Sequence, residues 1–202
     1  GLYHSQSVEA FFAHTPGLKV VNPATPYDAK GLLKSAIRDD DPVIFLEHKR
    51  TYRLVRGEVP DEEYTIPLSS ADVKLEGEDL SVITYGLMVH HCLEAAQTLA
   101  DEGVSVEVVD LRTLRPLDSE TILESVRKTG KALIVHEDSK AGGIGGEVAS
   151  IIGEEAFEYR DGPVPRLAGP EVPAMPFSPA MEAMYMLDSD KIADAMRKLA
   201  AY

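Results

Sequence analysis

The feature that most constrains the fold is a repeated alternation of strand-like and helical runs from Leu80 to Phe157. The runs "LSVITYG", "VSVEVVDLRTL" and "KALIVHED" are short, apolar and rich in β-branched residues, as buried strands are. The runs "MVHHCLEAAQTLADEG", "DSETILESVRKTG" and "GGEVASIIGEEAF" follow them with helical patterning, and Gly103 and Gly130 are predicted helix stops. Three strand–helix units predict a compact, doubly wound α/β domain.

The same alternation appears once near the start of the chain. A strand at Leu18–Val21, a helix in "TPYDAKGLLKSAIRD" and a strand at Val43–Leu46 indicate a parallel sheet there as well. Residues 56–78 are polar and acidic, and we interpret them as a connector that ends in a short strand. We therefore expect one domain with its connector at 1–70 and a second domain at 71–202. "GPVPRLAGPEVPAMPFSP" is predicted to be extended over the surface, before a last amphipathic helix in "SDKIADAMRKLAAY".

Composition excludes several classes of function. The 202 residues carry a formal net charge of -14, which repels phosphate backbones, so we expect no nucleic-acid partner. No apolar run approaches the roughly 20 residues that span a bilayer, so we expect no membrane insertion. Cys92 is the only cysteine, which rules out an internal disulfide, favours a reducing compartment and offers no cysteine cluster for zinc.

Four stretches together resemble a known family. These are "LYHSQSVEAFFAHTPGLKVVNPATPYDAKGLLKSAIRDDDPVIFLEHKRTYR", "VVDLRTLRPLD", "KTGKALIVHED" and "RLAGPEVPAMPFSP". In order and spacing they resemble the beta subunit of 2-oxo acid dehydrogenase complexes, which belongs to the thiamine-diphosphate-dependent, transketolase-like superfamily. "LAGPEVPAMPFSPAME" is most similar to the branched-chain (2-oxoisovalerate) type. A pyruvate or acetoin dehydrogenase beta subunit is the alternative.

The resemblance implies a fold and an assembly. The fold is the end of a pyrimidine-binding-type parallel-sheet domain followed by a transketolase C-terminal, three-layer α/β domain. Such subunits form alpha2beta2 heterotetramers with thiamine diphosphate and Mg²⁺ at the alpha–beta interface. The chain resembles the rear portion of a longer subunit, without the glutamate that activates the cofactor and without the Gly-Asp-Gly metal motif of the alpha subunit. We therefore expect it to be inactive alone. The expected compartment is a bacterial cytoplasm or a mitochondrial matrix, and we favour the bacterial cytoplasm.

His4 is the predicted catalytic and cofactor-binding residue. From the residues alone, a histidine in the polar stretch "HSQS" is a solvated group near a terminus. The family resemblance reverses this interpretation, because the histidine of the matching segment faces the reactive carbon of thiamine diphosphate. An imidazole can give or take a proton near neutral pH, which suits decarboxylation followed by acyl transfer to a lipoyl group.

The acidic stretch "AIRDDDP" is a second candidate site. Carbonyl oxygens at a helix end lack partners and carry partial negative charge, and a nearby carboxylate completes an oxygen site for a hard cation. The resemblance implies potassium, held by the carbonyls of Ala36 and Asp39 and by the side chain of Asp41. A solvated acidic turn is the alternative.

Three other patterns in the sequence give weaker indications of function. "EDSKAGGIGGEVAS" is glycine-rich, but Val148 occupies the last glycine position of a dinucleotide fingerprint, so we expect no NAD site and a structural role for Glu137 and Asp138. His90 and His91 are adjacent on a helix and point apart, which favours packing over metal binding. Asp110, Arg112 and Arg115 follow a strand, where buried ion pairs are one interpretation.

A docking module is the alternative function for this fragment. The resemblance implies four partners: the alpha subunit, a second beta subunit, the lipoyl domain, and the basic peripheral-subunit-binding domain of the acyltransferase core. The negative charge of the chain suits a basic partner. Asp161 and the terminal carboxylate of Tyr202 are the predicted contacts with the binding domain.

Overall fold

The computed structural model of the chain describes residues 5–202. Its strands are β1 (Lys19–Val21), β2 (Val43–Phe45), β3 (Asp72–Leu75), β4 (Leu80–Thr84), β5 (Val106–Asp110), β6 (Thr113–Arg115), β7 (Ala132–Ser139) and β8 (Arg166–Gly169). Its helices are α1 (Glu9–Ala13), α2 (Pro26–Arg38), α3 (Thr51–Leu54), α4 (Leu87–Asp101), α5 (Ser119–Thr129), α6 (Gly145–Glu155), α7 (Pro179–Tyr185) and α8 (Ser189–Ala200). The strands form a five-stranded and a three-stranded sheet.

The five-stranded sheet has the order β3-β5-β4-β7-β8. Strands β5, β4, β7 and β8 are parallel, and β3 joins one edge antiparallel to β5. Asp118 caps α5 by accepting a hydrogen bond from the backbone N–H of Thr121, and Gly130 ends the helix in the left-handed conformation. The alternating strands and helices predicted from the sequence are confirmed here.

Alternate residues of the central strands point to opposite faces of this sheet. On one face Val82 and Val108 pack with residues of α4 and α8. On the other face Ile83 and Val109 pack with residues of α5 and α6. Both faces are buried because helices cover both, as parallel sheets require. The predicted three-layer α/β architecture is therefore confirmed.

The three-stranded sheet has the order β2-β1-β6. Strands β1 and β2 are parallel and are joined by α2, whose N-cap Thr25 accepts a hydrogen bond from the backbone N–H of Asp28. Strand β6 pairs antiparallel with β1, although it follows β5 directly in the sequence. The predicted strand "VSVEVVDLRTL" is therefore two strands, one in each sheet. The domain boundary near residue 70 stays a prediction.

Part of the proline-rich segment is more regular than the sequence predicts. Strand β8 lies between Pro165 and Pro170, pairs parallel with β7 and forms an edge of the five-stranded sheet. Proline is tolerated there because an edge strand leaves one row of backbone groups unpaired. Farther along, Ser178 caps the short helix α7 by accepting a hydrogen bond from the backbone N–H of Met181.

A buried guanidinium connects the two sheets. Arg112 lies between β5 and β6 and donates hydrogen bonds to the carbonyls of Ser70 (2.9 Å) and Ala71 (2.8 Å). It also donates to Oδ1 of Asp28 on α2 at 3.1 Å, while Lys74 of β3 donates to Oδ2 at 2.7 Å. Burial opposes ionisation of Asp28, but the Lys74 hydrogen bond and its other partners outweigh it and lower the pKa of that carboxyl. The suggested buried ion pair of Arg112 is present, whereas Arg115 is exposed.

Replacing Arg112 with methionine should destabilise the chain strongly. The substitution leaves the buried Asp28 without one cationic partner and two carbonyls without donors, which costs about 3–5 kcal/mol of unfolding free energy. Arg197→Met is the matched control, since Arg197 makes its bidentate pair with Glu102 at the surface. Urea denaturation measures both, and equal losses for the two variants would contradict the role of Arg112.

Asp110 makes the stability of the chain sensitive to pH. Its carboxyl is fully buried, and burial, together with the nearby Asp28 carboxylate, raises its pKa to about 7. Lys74, whose Nζ lies 3.9 Å from Oδ2 of Asp110, offsets this only in part. The folded state therefore keeps this proton between about pH 4 and 7, where the unfolded chain has lost it.

The contribution of Asp110 to stability should fall as the pH rises through that window, because the folded state then binds more protons than the unfolded state. Asp110→Asn removes this titration. The unfolding free energy of the variant minus that of the unsubstituted chain should increase between pH 4.5 and pH 7.5, so the variant becomes relatively more stable. The readout is this slope, so a constant offset from altered packing does not affect it. A free-energy difference that stays constant or decreases over this range would contradict the assignment.

Candidate functional site

A solvent-open cleft of about 650 Å³ lies where the two sheets meet. Asn22 follows β1, Leu46 follows β2, Ser139 ends β7 and Gly169 ends β8, and all four line it. The carboxyl ends of parallel strands from both sheets therefore open into one space. In open α/β sheets this is where ligands bind, so the cleft is the candidate functional site.

The walls of the cleft combine apolar and charged side chains, and the acidic groups outnumber the basic ones. Glu47, Glu137, Asp138 and Glu182 line it together with the basic side chains of Lys49 and Arg50. Glu137 pairs with Nε2 of His48 at 3.0 Å. Burial raises the pKa of Asp138. The predicted structural role of Glu137 and Asp138 stays a prediction, and both residues lie in the candidate site.

The predicted catalytic residue His4 lies outside the described residues. The segment that follows it, residues 5–8, lines the cleft and leads into α1. The catalytic role of His4 therefore stays a prediction, while the described chain places its sequence neighbours at the candidate site.

The described residues do not form a diphosphate site by themselves. The carboxylates on the cleft wall repel a diphosphate, and Lys49 and Arg50 are the lysine and arginine that line it. Among residues 5–202, no group of three or more His, Cys, Asp or Glu side chains is arranged to hold a metal ion. A thiamine diphosphate bound with Mg²⁺ would need groups from outside this part of the chain.

Just after α2, the carboxylates of Asp39 and Asp41 lie around a lysine. Nζ of Lys19 lies 2.7 Å from each carboxylate oxygen of Asp39 and 3.0 Å from Oδ2 of Asp41. The carbonyl of Ala36 accepts a hydrogen bond from the backbone N–H of Asp39 at 3.4 Å. Lys19 already neutralises the carboxylates, so potassium would compete with its ammonium for Asp41. Potassium at Ala36, Asp39 and Asp41 stays a prediction.

Family comparison matches both parts of the chain. The family described as "Transketolase, C-terminal domain" matches residues 69–192, and the family described as "Transketolase, pyrimidine binding domain" matches residues 2–55. The chain belongs to the transketolase C-terminal domain family. The five-stranded sheet and helices α4, α5 and α6 lie in the first of these ranges, α8 begins at its end, and strands β1 and β2 lie in the second.

Several curated relatives are similar along almost the whole of this transketolase-family chain. It is 59% identical over 201 residues to the 2-oxoisovalerate dehydrogenase subunit beta of Bacillus subtilis and 53% identical to the pyruvate dehydrogenase E1 component subunit beta of the same organism. It is 50% identical to the beta subunit of an acetoin:2,6-dichlorophenolindophenol oxidoreductase of Cupriavidus necator. These matches cover 100%, 97% and 96% of the chain, but only 62%, 60% and 57% of the relatives.

Solved structures agree with the family. One described as a split gene transketolase, an inactive beta4 tetramer, has a TM-score of 0.79 at 28% identity and covers 96% of this chain and 61% of its own. A transketolase from Pichia stipitis has a TM-score of 0.61 at 17% identity, with 95% of this chain and 26% of that one covered. The second likeness shows the fold alone. Within residues 5–202, no helix is long and apolar enough to cross a membrane.

The glycine-rich segment of the transketolase-family chain packs on a buried histidine. A Cβ added at Gly143 would lie 2.8 Å from Cε1 of His136, and one added at Gly145 would lie 2.5 Å from Nε2. The His136 side chain has no exposed surface, and burial lowers its pKa to about 4. Close approach of the loop to this ring explains both glycines without a nucleotide.

The two predicted docking residues lie in one region of the surface. Asp161 is exposed, and Tyr202 is 73% exposed. Gly162, the residue after Asp161, lies beside the Tyr202 side chain, so the two predicted contacts are neighbours. Their role in binding a partner stays a prediction.

The histidine pair and the single cysteine have structural surroundings. Nε2 of His90 lies 2.8 Å from the carbonyl oxygen of Ala24, which ties α4 to the loop before α2. Nδ1 of His91 lies 3.9 Å from Glu94 on the same helix. Cys92 is buried in the core, and burial raises its pKa to about 12, so its thiol is unreactive.

Sequence reasoning missed two residues beside the cleft. Glu9 is buried on α1, and its Oε1 accepts a hydrogen bond from the hydroxyl of Tyr85 at 2.7 Å. The two residues are 76 positions apart, so no local spacing reveals the pair. The one available signal is a glutamate placed in the apolar run "VEAFFA".

Replacing Gly145 with alanine should destabilise the chain by about 1–3 kcal/mol, because the new methyl group overlaps the buried His136 ring. Gly153→Ala is the control on the same helix α6. It meets no atom within 4 Å and should stabilise the helix by about 0.5–1 kcal/mol. Urea denaturation of the two variants measures the sign of each change in unfolding free energy. A neutral Gly145→Ala substitution would contradict the packing role assigned to this glycine.

Proposed function

We propose that this chain is part of the beta subunit of a thiamine-diphosphate-dependent decarboxylase, the first component of a branched-chain 2-oxo acid dehydrogenase complex. The observation that carries the proposal is the 59% identity to a 2-oxoisovalerate dehydrogenase subunit beta over 201 residues. The reaction is oxidative decarboxylation of a branched 2-oxo acid, followed by reductive acylation of a lipoyl group.

In this proposal the cofactor is held mainly by other parts of the assembly. An alpha subunit and the segment that precedes this chain in its relatives bind thiamine diphosphate and Mg²⁺. The acidic cleft supports this division, because its described residues do not suit a diphosphate. His4 gives and takes protons beside the cofactor, and the cleft admits the substrate and the lipoyl group.

The proposed active form is an alpha2beta2 heterotetramer, and this chain alone is inactive. A structural relative at 28% identity is described as an inactive beta4 tetramer, which supports the need for a second kind of subunit. Further proposed partners are the lipoyl domain and a peripheral-subunit-binding domain at Asp161 and Tyr202. We place the complex in a bacterial cytoplasm, and potassium at the end of α2 belongs to the same proposal.

The identities to a pyruvate dehydrogenase subunit (53%) and an acetoin-oxidising enzyme subunit (50%) favour a second candidate substrate class. The discriminating measurement is a substrate panel with the complete assembly. A higher kcat/KM for 2-oxoisovalerate than for pyruvate supports the branched-chain assignment, and the reverse order replaces it. For a docking role alone, size-exclusion chromatography with the core's binding domain at low and high salt would show salt-sensitive binding without turnover.

His4→Ala in the complete alpha2beta2 assembly should lower the rate of reductive acylation by about 100-fold or more, the usual contribution of a positioned general acid or base. His14→Ala is the control, since His14 is exposed at the end of α1. Single-turnover transfer to a free lipoyl domain measures the step directly. An unchanged rate for His4→Ala would remove this residue from the proposed mechanism.

A further inference from the structure

The short helix α1 is attached to the rest of the chain by one buried carboxyl group and by apolar packing. Glu9 is 4% exposed, and Phe12 and Ala13 pack against the core, whereas Phe11 is 77% exposed. A single helical turn and a half is not stable on its own in water, so α1 needs these attachments. The hydrogen bond from the Tyr85 hydroxyl to Oε1 of Glu9, at 2.7 Å, is the attachment at the end of the helix that residues 5–8 enter.

Tyr85 belongs to the rigid part of the fold. It follows β4, is 5% exposed, and packs with the core that α5 and α6 cover. Its ring stacks on the ring of His136 with a centroid distance of 6.2 Å and an interplanar angle of 11°. His136 is in turn enclosed by the close approach of Gly143 and Gly145. The hydroxyl that binds Glu9 is thus held by the central sheet.

The bond does not depend on whether Glu9 is ionised. Burial raises the pKa of Glu9, and Asp138 and Glu137 on β7 raise it further. Oε1 can accept from a tyrosine hydroxyl in the carboxylate form, and a protonated carboxyl keeps an acceptor oxygen as well. The attachment can therefore persist while charges in the cleft change.

What this attachment holds is the segment next to the predicted catalytic histidine. Residues 5–8 line the cleft and enter α1 directly before Glu9. We propose that Glu9 and Tyr85 are positioning residues that fix residues 5–8 at the cleft, and that this placement serves the catalytic role proposed for His4. The catalytic part of this inference rests on the proposed function, whereas the attachment of the segment does not.

The test uses the complete alpha2beta2 assembly with three variants. Tyr85→Phe keeps the ring and its stacking but removes the donor, Glu9→Ala removes the acceptor, and Glu9→Gln keeps an acceptor oxygen. Tyr64→Phe is the matched control, since the Tyr64 hydroxyl donates to the carbonyl of Tyr27 at 2.9 Å and neither residue lines the cleft. Each assembly is assayed for kcat and KM with the 2-oxo acid and for amide hydrogen exchange in residues 11–15, where the N–H groups of Phe11, His14 and Thr15 are hydrogen-bonded to carbonyls in and beside α1.

We expect Tyr85→Phe and Glu9→Ala to lower kcat by about 10-fold or more with little change in KM, because a small displacement of a catalytic group costs rate. Hydrogen exchange in residues 11–15 should rise in the same two variants, and Glu9→Gln should bring both readouts back towards those of the unsubstituted assembly. Tyr64→Phe should change neither.

Unchanged exchange in residues 11–15 of Tyr85→Phe and Glu9→Ala would overturn the attachment. Raised exchange with an unchanged kcat would overturn the positioning role, as would equal losses in Glu9→Gln and Glu9→Ala. Failure of the proposed function is distinguishable, because the unsubstituted assembly would then be inactive while the exchange measurement still decides the attachment.

Discussion

The arrangement of this chain depends on one buried cation, the guanidinium of Arg112. This side chain lies between the two sheets. It donates hydrogen bonds to the carbonyls of Ser70 and Ala71 in the connector and to the Asp28 carboxylate on α2. The backbone carbonyl of Arg112 also accepts a hydrogen bond from the backbone N–H of Asn22, the residue after β1. An ion pair at the surface is worth little, but here the carboxylate is buried and would be left with less compensation if the arginine were absent.

The cleft is a consequence of this connection. Because β6 leaves the five-stranded sheet and joins β1, the carboxyl ends of strands from both sheets face one space. The hydrogen bond between Glu9 and Tyr85 then fixes a short helix at its edge. The acidic side chains of the cleft wall disfavour a diphosphate, which agrees with the proposal that the active site is shared between subunits.

Local pattern was enough to predict the central strands and helices, because each of them carries its own periodicity and caps, as Asp118 and Gly130 do for α5. It was not enough for β8, because this strand is short, lies between two prolines and is formed by its pairing with β7. It also missed the break at Arg112, where a φ of 53° turns one apolar run into two strands. At the site, the sequence led to His4 through a family resemblance, whereas Glu9 and Tyr85 meet only in three dimensions.

The most direct test of the catalytic role proposed for His4 is an experimental structure of the complete alpha2beta2 assembly with a thiamine diphosphate analogue. The quantity to measure is the distance from the His4 imidazole to the thiazolium ring of the analogue. We expect the imidazole to contact the reacting side of the ring, in an active site that the alpha subunit closes. Residues 5–8 should lie on the cleft wall. An imidazole that points into bulk solvent, far from the coenzyme, would contradict that role.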